Sequence, residues 1–413
     1  MQNTITTAIT ATPAHKMNVR WFTWYALFIT LLAVSSTDIY ISSLPQMTID
    51  FNTSPNLINL TISIYTLTMA VTVLFAGILS NRFGRRKIIL LGIISFTIAS
   101  FLISTANSIY VVILLRVVQA FGCACLAIVT RLVLKDTMSA KEQVHATGIL
   151  VMGIVLSPAI APSVGAFLAQ HWGWKSCFDL SGIGGIILSI AGYFIVQETN
   201  ATPVKQLNSF HSYILDYGKL LSDKICVYFA ILNSFTFAIY FVFIGISSYL
   251  FIDHYQMSPL VYSYLFIVIA LGYFGGNSLM MLLNRRHHSQ LAIINMGIYA
   301  SMVGLFVLLA SLLMTNNKIG AIIAITAGVI IMRAASALII APAQVRILEH
   351  FKERGALALG LSTAAQFGCA SLAVSLVAIF HQTALLSLVG VTIIFFIPTV
   401  LIMPKLRREL KNH

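Results

Sequence analysis

Charge is what this sequence has least of. Lys, Arg, Asp and Glu make up 9% of its 413 residues, against 58% hydrophobic. Soluble globular chains carry roughly 25% charged residues, so too few are present to cover an apolar core with a water-facing surface. Lipid is the solvent this composition demands. Cysteine is scarce too: the five, Cys123, Cys125, Cys177, Cys226 and Cys369, all fall inside apolar runs. Their spacing suits neither a disulfide framework nor a zinc site. Apolar–polar alternation is missing from the long hydrophobic stretches, which excludes a β-barrel and leaves helices as the way across a bilayer. Also missing are H-E-x-x-H, a paired acidic motif and a phosphate loop G-x-x-x-x-G-K-[ST]. Without a metal cluster, a nucleophile–base pair or a nucleotide loop, no enzyme is expected, and no cofactor.

What is present is a series of apolar runs near 21–44, 57–79, 88–106, 109–133, 144–168, 176–197, 225–248, 259–283, 290–314, 319–341, 355–380 and 384–403. Each reaches about the 20 residues that cross a hydrocarbon core, so the expected fold is all-α with twelve transmembrane helices. Residues 1–20 are polar and Thr-rich, without the apolar core of a signal peptide, and read as a tail before an uncleaved first span. The longest polar stretch, 198–224, holds Lys205, Asp216, Lys219, Asp223 and Lys224. It reads as a central loop between six-helix bundles at 21–197 and 225–403, with a second tail at 404–413.

The net charge of +13 invites a nucleic-acid reading, but its placement gives another. If the N-terminus is inside, the inner segments carry Arg82, Arg85, Arg86, Lys87, Arg131, Lys135, Lys141, Arg285, Arg286, Arg346 and the basic tails. The outer segments carry only Lys175 and Lys318. By the positive-inside rule both termini are cytoplasmic, and the charge is a topology signal for a bacterial inner membrane.

Four motifs then carry a resemblance. Gly77-Ile78-Leu79-Ser80-Asn81-Arg82-Phe83-Gly84-Arg85-Arg86-Lys87 is similar to the signature loop G-x-L-a-D-r-x-G-r-k of the major facilitator superfamily, with Asn81 where the family has aspartate. A weaker copy, Leu283-Asn284-Arg285-Arg286, follows span eight. Leu115-Arg116-Val117-Val118-Gln119-Ala120 resembles the family's l-x-x-x-R-x-x-q-G, with Ala120 for glycine. The stretch from Ser157 through Pro158 and Pro162 to Gly165 resembles the antiporter motif of twelve-span drug:proton exporters. Thr37-Asp38-Ile39-Tyr40 with Pro45 resembles the T-D-x-Y-x-x-x-x-P of the bicyclomycin-resistance and chloramphenicol–florfenicol branch. The resemblance implies two pseudo-symmetric six-helix bundles with substrate bound at midplane. It also implies a conformational role for Gly77, Asn81, Arg82, Gly84, Arg85, Arg86, Pro158, Pro162 and Gly165, and coupling to protons through Arg116.

An ionisable group in lipid is costly and calls for a function. Asp38 is the carboxylate deep in a span, since Asp50 and Asp253 fall in outer loops and Asp179 is expected to pair with Lys175 four residues earlier. With span one ending at Leu44, Asp38 lies roughly 9 Å below the outer boundary, Arg116 roughly 10 Å and Arg333 roughly 21 Å. Asp38 and Arg116 are therefore expected as a neutralising, proton-coupling pair, and Arg333 as a cavity cation with no carboxylate at its depth. The family's geometry puts Tyr40, Tyr65, Asn233, Phe237, Tyr240, Phe241 and Gln366 on spans facing the cavity. The leading reading is a monomeric proton-coupled exporter of amphipathic or antibiotic-like molecules. An importer of an anionic nutrient or siderophore-like metabolite is the alternative. Arg333 tilts the expected substrate toward neutral or anionic.

Overall fold

A computed structural model describes residues 18–200, 208–314, 316–351, 354–380 and 383–412. The described chain is all helix, and twelve of its helical stretches are long and apolar enough to cross a membrane. Helices α1 (Val19–Asp38) and α2 (Leu44–Asp50), joined through a 3₁₀ turn at Ile41–Ser43, form the first span. Helices α3 (Pro55–Phe83), α4 (Arg85–Thr105), α5 (Ile109–Thr137), α6 (Ala140–Trp172) and α7 (Lys175–Ile195) complete one half. A shorter helix, α8 (Asn208–Ser222), stands in the connecting segment. The other half comprises α9 (Lys224–Ser248), extended by a π-helical turn Tyr249–His254, then α10 (Pro259–Arg285), α11 (Gln290–Ala310), α12 (Lys318–His350), α13 (Gly355–Ile379) and α14 (Ala384–Asn412).

Local chemistry sets most of the ends. Pro55 and Pro259 open their helices, where a missing N–H costs nothing. Asp223 caps α9 by accepting from Cys226 N at 2.9 Å, and Ser139 with Glu142 forms a capping box on α6. Gly84, at φ +98°, ends α3 and starts α4 in one residue, a conformation few other residues tolerate. Pro45 sits in the first turn of α2, where it cannot donate back to the preceding turn; the first span breaks and restarts there. Pro158 and Pro162 lie inside α6 without ending it.

Several helices outrun the hydropathic runs. The stretch 198–224 is not wholly loop, since α8 occupies part of it, and α14 continues through Pro404 to Asn412, across the expected tail 404–413. Apolarity marks only the hydrocarbon-crossing part of a helix, and amphipathic ends continue past it. The expected tail 1–20 and Lys205 lie mostly outside the described residues.

With twelve spans both termini fall at one end, called here the terminal end; the other is the distal end. The apolar core divides accordingly. At the distal end one cluster draws on both halves, with Tyr40, Leu44, Met47 and Trp174 packed with Phe243, Phe251, Tyr262 and Val377. Toward the terminal end each half has its own core. One is built around Phe22, Phe96 and Val129, touched from the other half by Phe367; the second is built around Phe229, Ile298 and Leu406. Hydroxyls stitch the distal seam. Thr48 meets Tyr249 at 3.2 Å, Ser263 donates to Ser163 at 3.2 Å, and Ser371 donates to the Ser63 carbonyl at 2.7 Å. At the terminal end Tyr217 of α8 reaches the Leu74 carbonyl of α3 at 3.2 Å. The halves are thus sealed distally and cored separately at the terminal end.

Candidate functional site

The break in α1 relocates Asp38. The first span runs on to Asp50, so Asp38 lies twelve residues from that end, roughly 18 Å along the helix rather than 9 Å. Arg333 lies fifteen residues into α12, roughly 22 Å from the same end. The two share a depth near the middle of the bundle, on opposite halves. Asp38 is 4% exposed, its Oδ2 has no hydrogen-bond partner, and the cation whose field reaches it is Arg333. Tyr240 of α9 lies within the field of both. No Asp38–Arg116 salt bridge forms among the described residues, so the expected pairing is corrected: Arg116 spends its hydrogen bonds on Ser36 and Gln119 instead.

Arg116 is fully buried and differently employed. Its Nη1 donates to the Ser36 carbonyl at 3.1 Å and to Gln119 Oε1 at 2.6 Å, and Gln119 passes the contact on to Ser100 at 2.8 Å. The rings of Tyr40, Tyr65 and Phe178 cover the guanidinium at 4.4, 4.7 and 5.5 Å. Tyr40 OH is bonded to Thr61 at 2.9 Å and Tyr65 OH to Ser36 at 2.8 Å. Cation–π contact and charge-assisted hydrogen bonds offset the cost of the buried cation. Tyr40 and Tyr65 are therefore walls around Arg116 inside their own half.

Arg333 repeats this arrangement in the other half. Its guanidinium lies 4.0 Å from the Tyr240 ring on α9 and 4.5 Å from the Tyr273 ring on α10. Close packing of α10 on α12 sets Tyr273 in place: a Cβ at Gly276 would meet the Ala334 backbone at 2.7 Å. The order of parts matches across the halves. Spans one, two and four supply Tyr40, Tyr65 and Arg116; spans seven, eight and ten supply Tyr240, Tyr273 and Arg333. Tyr273 escaped sequence reading because ring-on-guanidinium contacts between helices leave no local periodicity. Overlaying the halves span by span, rather than loop by loop, was the available signal.

The remaining cavity candidates lie along α9 and α13. Phe237 packs on Phe241 and on Phe367 with centroids 5.1 and 5.6 Å apart. Asn233 donates to Ser362 at 3.3 Å, and Gln366 is buried with its Nε2 unbonded. A small cavity opens beside Arg333 and Tyr240, lined also by Thr236, Val329, Met332, Ser336, Leu388 and Thr392. Among the described residues no cluster of His, Cys, Asp or Glu has the geometry to hold a metal ion.

The signature loop closes on its own half. Arg85 Nε donates to Asp136 of α5 at 3.1 Å, and its Nη1 to Ser80 and Asn81, both at 2.6 Å. Asn81 thus accepts from Arg85 while Asp136 supplies the carboxylate charge. Glu198 accepts from the backbone N–H of Arg85 at 2.9 Å and of Arg86 at 3.3 Å, a carboxylate on the positive end of α4. Gly84 leaves room for it, since a Cβ there would come within 3.0 Å of the Glu198 carboxyl carbon. Arg86 donates to the Tyr193 carbonyl at 2.9 Å, Arg82 lies over Phe83, and Gly77 faces Leu132 at 4.0 Å. Neither Asp136 nor Glu198 was marked by the sequence, because each is distant in the chain from the loop it serves. Gly165 presses on the α1 break, where a Cβ would stand 2.6 Å from the Ile39 carbonyl carbon. Lys175 lies over Trp174 and forms no salt bridge with Asp179. The four-residue spacing does not by itself hold an exposed lysine to a half-buried aspartate. Asp50 instead accepts from Trp174 Nε1 at 2.8 Å.

Two six-helix halves meeting around the opposite charges of Asp38 and Arg333 have the architecture of a membrane transporter. The family model for the Major Facilitator Superfamily matches residues 26–374, and the chain belongs to that family, one of transporters and not of enzymes. Among curated proteins, an uncharacterized transporter of Rickettsia bellii is 27% identical over 73% of this chain and 75% of its own length. Multidrug resistance protein D of Escherichia coli is 29% identical over 49% of this chain and 51% of its own. A chloramphenicol resistance protein of Pseudomonas aeruginosa is 28% identical over 62% of each. Among solved structures, a bacterial homologue of the human lysosomal transporter Spinster in an inward-facing state superposes with a TM-score of 0.74 at 15% identity, covering 96% of this chain and 98% of that one. A D-xylose–proton symporter gives 0.72 at 14%, covering 94% and 96%. These two likenesses are of fold.

Proposed function

We propose that the chain is a proton-coupled secondary transporter of the bacterial inner membrane that exports amphipathic small molecules by alternating access, with Asp38 as the group that carries the coupling proton. The observation behind this reading is the position of Asp38: a carboxylate at mid-depth, between the halves, with an oxygen left unbonded and Arg333 of the opposite half as its counter-charge. A bare carboxylate in a dry membrane site costs at least about 2.5–3.5 kcal/mol, so closing the halves over it favours the neutral acid. Opening to water favours the ion. Alternate closure therefore moves a proton with each cycle, and substrate that occupies the site in its place completes an exchange.

The placement of Lys and Arg supports a cytoplasmic terminal end, on which reading a distally sealed structure is the inward-facing member of the cycle. One chain carries both halves, so a monomer suffices. Export is supported by relatives named for multidrug and chloramphenicol resistance. A second reading, import of an organic anion with a proton, is favoured by the position of Arg333. The test is flux in proteoliposomes under an imposed pH gradient. Asp38→Asn should abolish uphill transport and keep the wild-type elution profile and melting curve. Gradient-driven transport by that variant at the wild-type rate would sink the assignment.

A further inference from the structure

The two arginine clamps serve as controls for each other. Arg116 is fully buried, and its guanidinium is engaged by Ser36 and Gln119. Arg333 is half-buried, with two tyrosine rings within 4.5 Å and no hydrogen bond or salt bridge to its guanidinium among the described residues. A guanidinium held by ring contacts alone keeps its five N–H donors, which lie in its plane, for a ligand. The partner that fits such an edge is planar and doubly accepting, the geometry of a carboxylate.

The cavity beside this edge supplies the rest of a binding site. Its walls are mainly Val329, Met332, Leu388 and other apolar side chains. The Thr236 and Ser336 hydroxyls are committed to the Leu232 and Arg333 carbonyls, and the guanidinium is the charged donor in the lining. We propose that the Arg333–Tyr240–Tyr273 clamp is an anion subsite, taking the carboxylate of an amphiphilic organic anion whose apolar body packs on the adjoining apolar walls. This rests on the second transport reading above, movement of an organic anion together with a proton, and names its substrate class. Lipophilic cations are repelled from the subsite by the same fixed charge.

The test is equilibrium binding to the purified full chain in detergent, which needs no gradient. The probes are 4-butylbenzoate, 4-butylbenzamide and 4-butylbenzylammonium, measured by calorimetry on wild type, Arg333→Met, Arg333→Lys and Tyr273→Leu, each checked by melting and elution. Wild type should bind the benzoate most tightly. Arg333→Met should weaken it about tenfold to a hundredfold, the range for a charge-assisted pair, and leave the benzamide within about threefold; Arg333→Lys should recover part of the loss. Should Arg333→Met fail to fold, Tyr273→Leu keeps the charge and removes one ring, and benzoate should weaken several-fold. Unchanged benzoate binding in the folded variants overturns the proposal, as does a wild-type preference for the ammonium or no benzoate binding at millimolar concentration. Charge-selective binding without gradient-driven flux would instead remove the transport reading and leave the subsite standing.

Discussion

One methyl group at Gly165 tests how tightly the Asp38 region is built. A Cβ there would overlap the Ile39 carbonyl oxygen and lie 2.6 Å from its carbon. Carbon atoms rest about 3.5–4.0 Å apart, so α6 and the α1 break must part by at least ~1 Å. The obstacle is backbone, and no rotamer can relieve it. Overpacking typically costs about 1–3 kcal/mol, and a backbone clash belongs at the upper end. Ile39 follows Asp38 directly, so the displacement passes to the carboxylate. Gly165→Ala should melt earlier in detergent than wild type and lose at least about tenfold in gradient-driven flux, since ångström-scale misplacement of a reacting group is that costly. Gly148→Ala on the same helix is the control, because a Cβ there meets nothing within 4 Å. If the two variants melt and transport alike, the packing argument for this region is wrong.

Further outcomes follow from the loop and the linker. Gly84→Ala combines a positive φ with a clash against Glu198, and should slow interconversion of the two open states, read by site-directed accessibility labelling, with binding affinity kept. Asp136→Asn removes the carboxylate partner of Arg85 and should lower the melting temperature by an amount worth about 1–3 kcal/mol; an unchanged melt would mean the pair is idle. Tyr217→Phe removes the hydroxyl that ties α8 to Leu74 and should speed conversion to the other state; slower conversion would contradict a bridging role.

Spans and halves were legible because lipid allows one backbone solution and hydropathy reports it directly. Depth was less legible. The apolar run of the first span fades near Leu44, yet α2 carries the helix to Asp50. Side-chain partnership was the least legible. Arg85 could be seen as a conspicuous charge, but its partner Asp136 lies 51 residues on, and nothing local joins them. Arg116 and Arg333 look alike in sequence; only the folded surroundings make one sealed and the other open-edged.

The distal seam between the halves is held by serine, threonine and tyrosine hydroxyls, while the salt bridges among the described residues lie at the terminal end. A hydroxyl that loses a protein partner to an opening cleft finds water at once, for a net change of about 0.5–1.5 kcal/mol per bond. Such a gate sits close to balance and is indifferent to ionic strength, because no charges meet across it. Its setting can then be governed by the electrical and proton gradients acting on Asp38 and Arg333, so the same molecule should respond to membrane energisation and ignore the salinity outside.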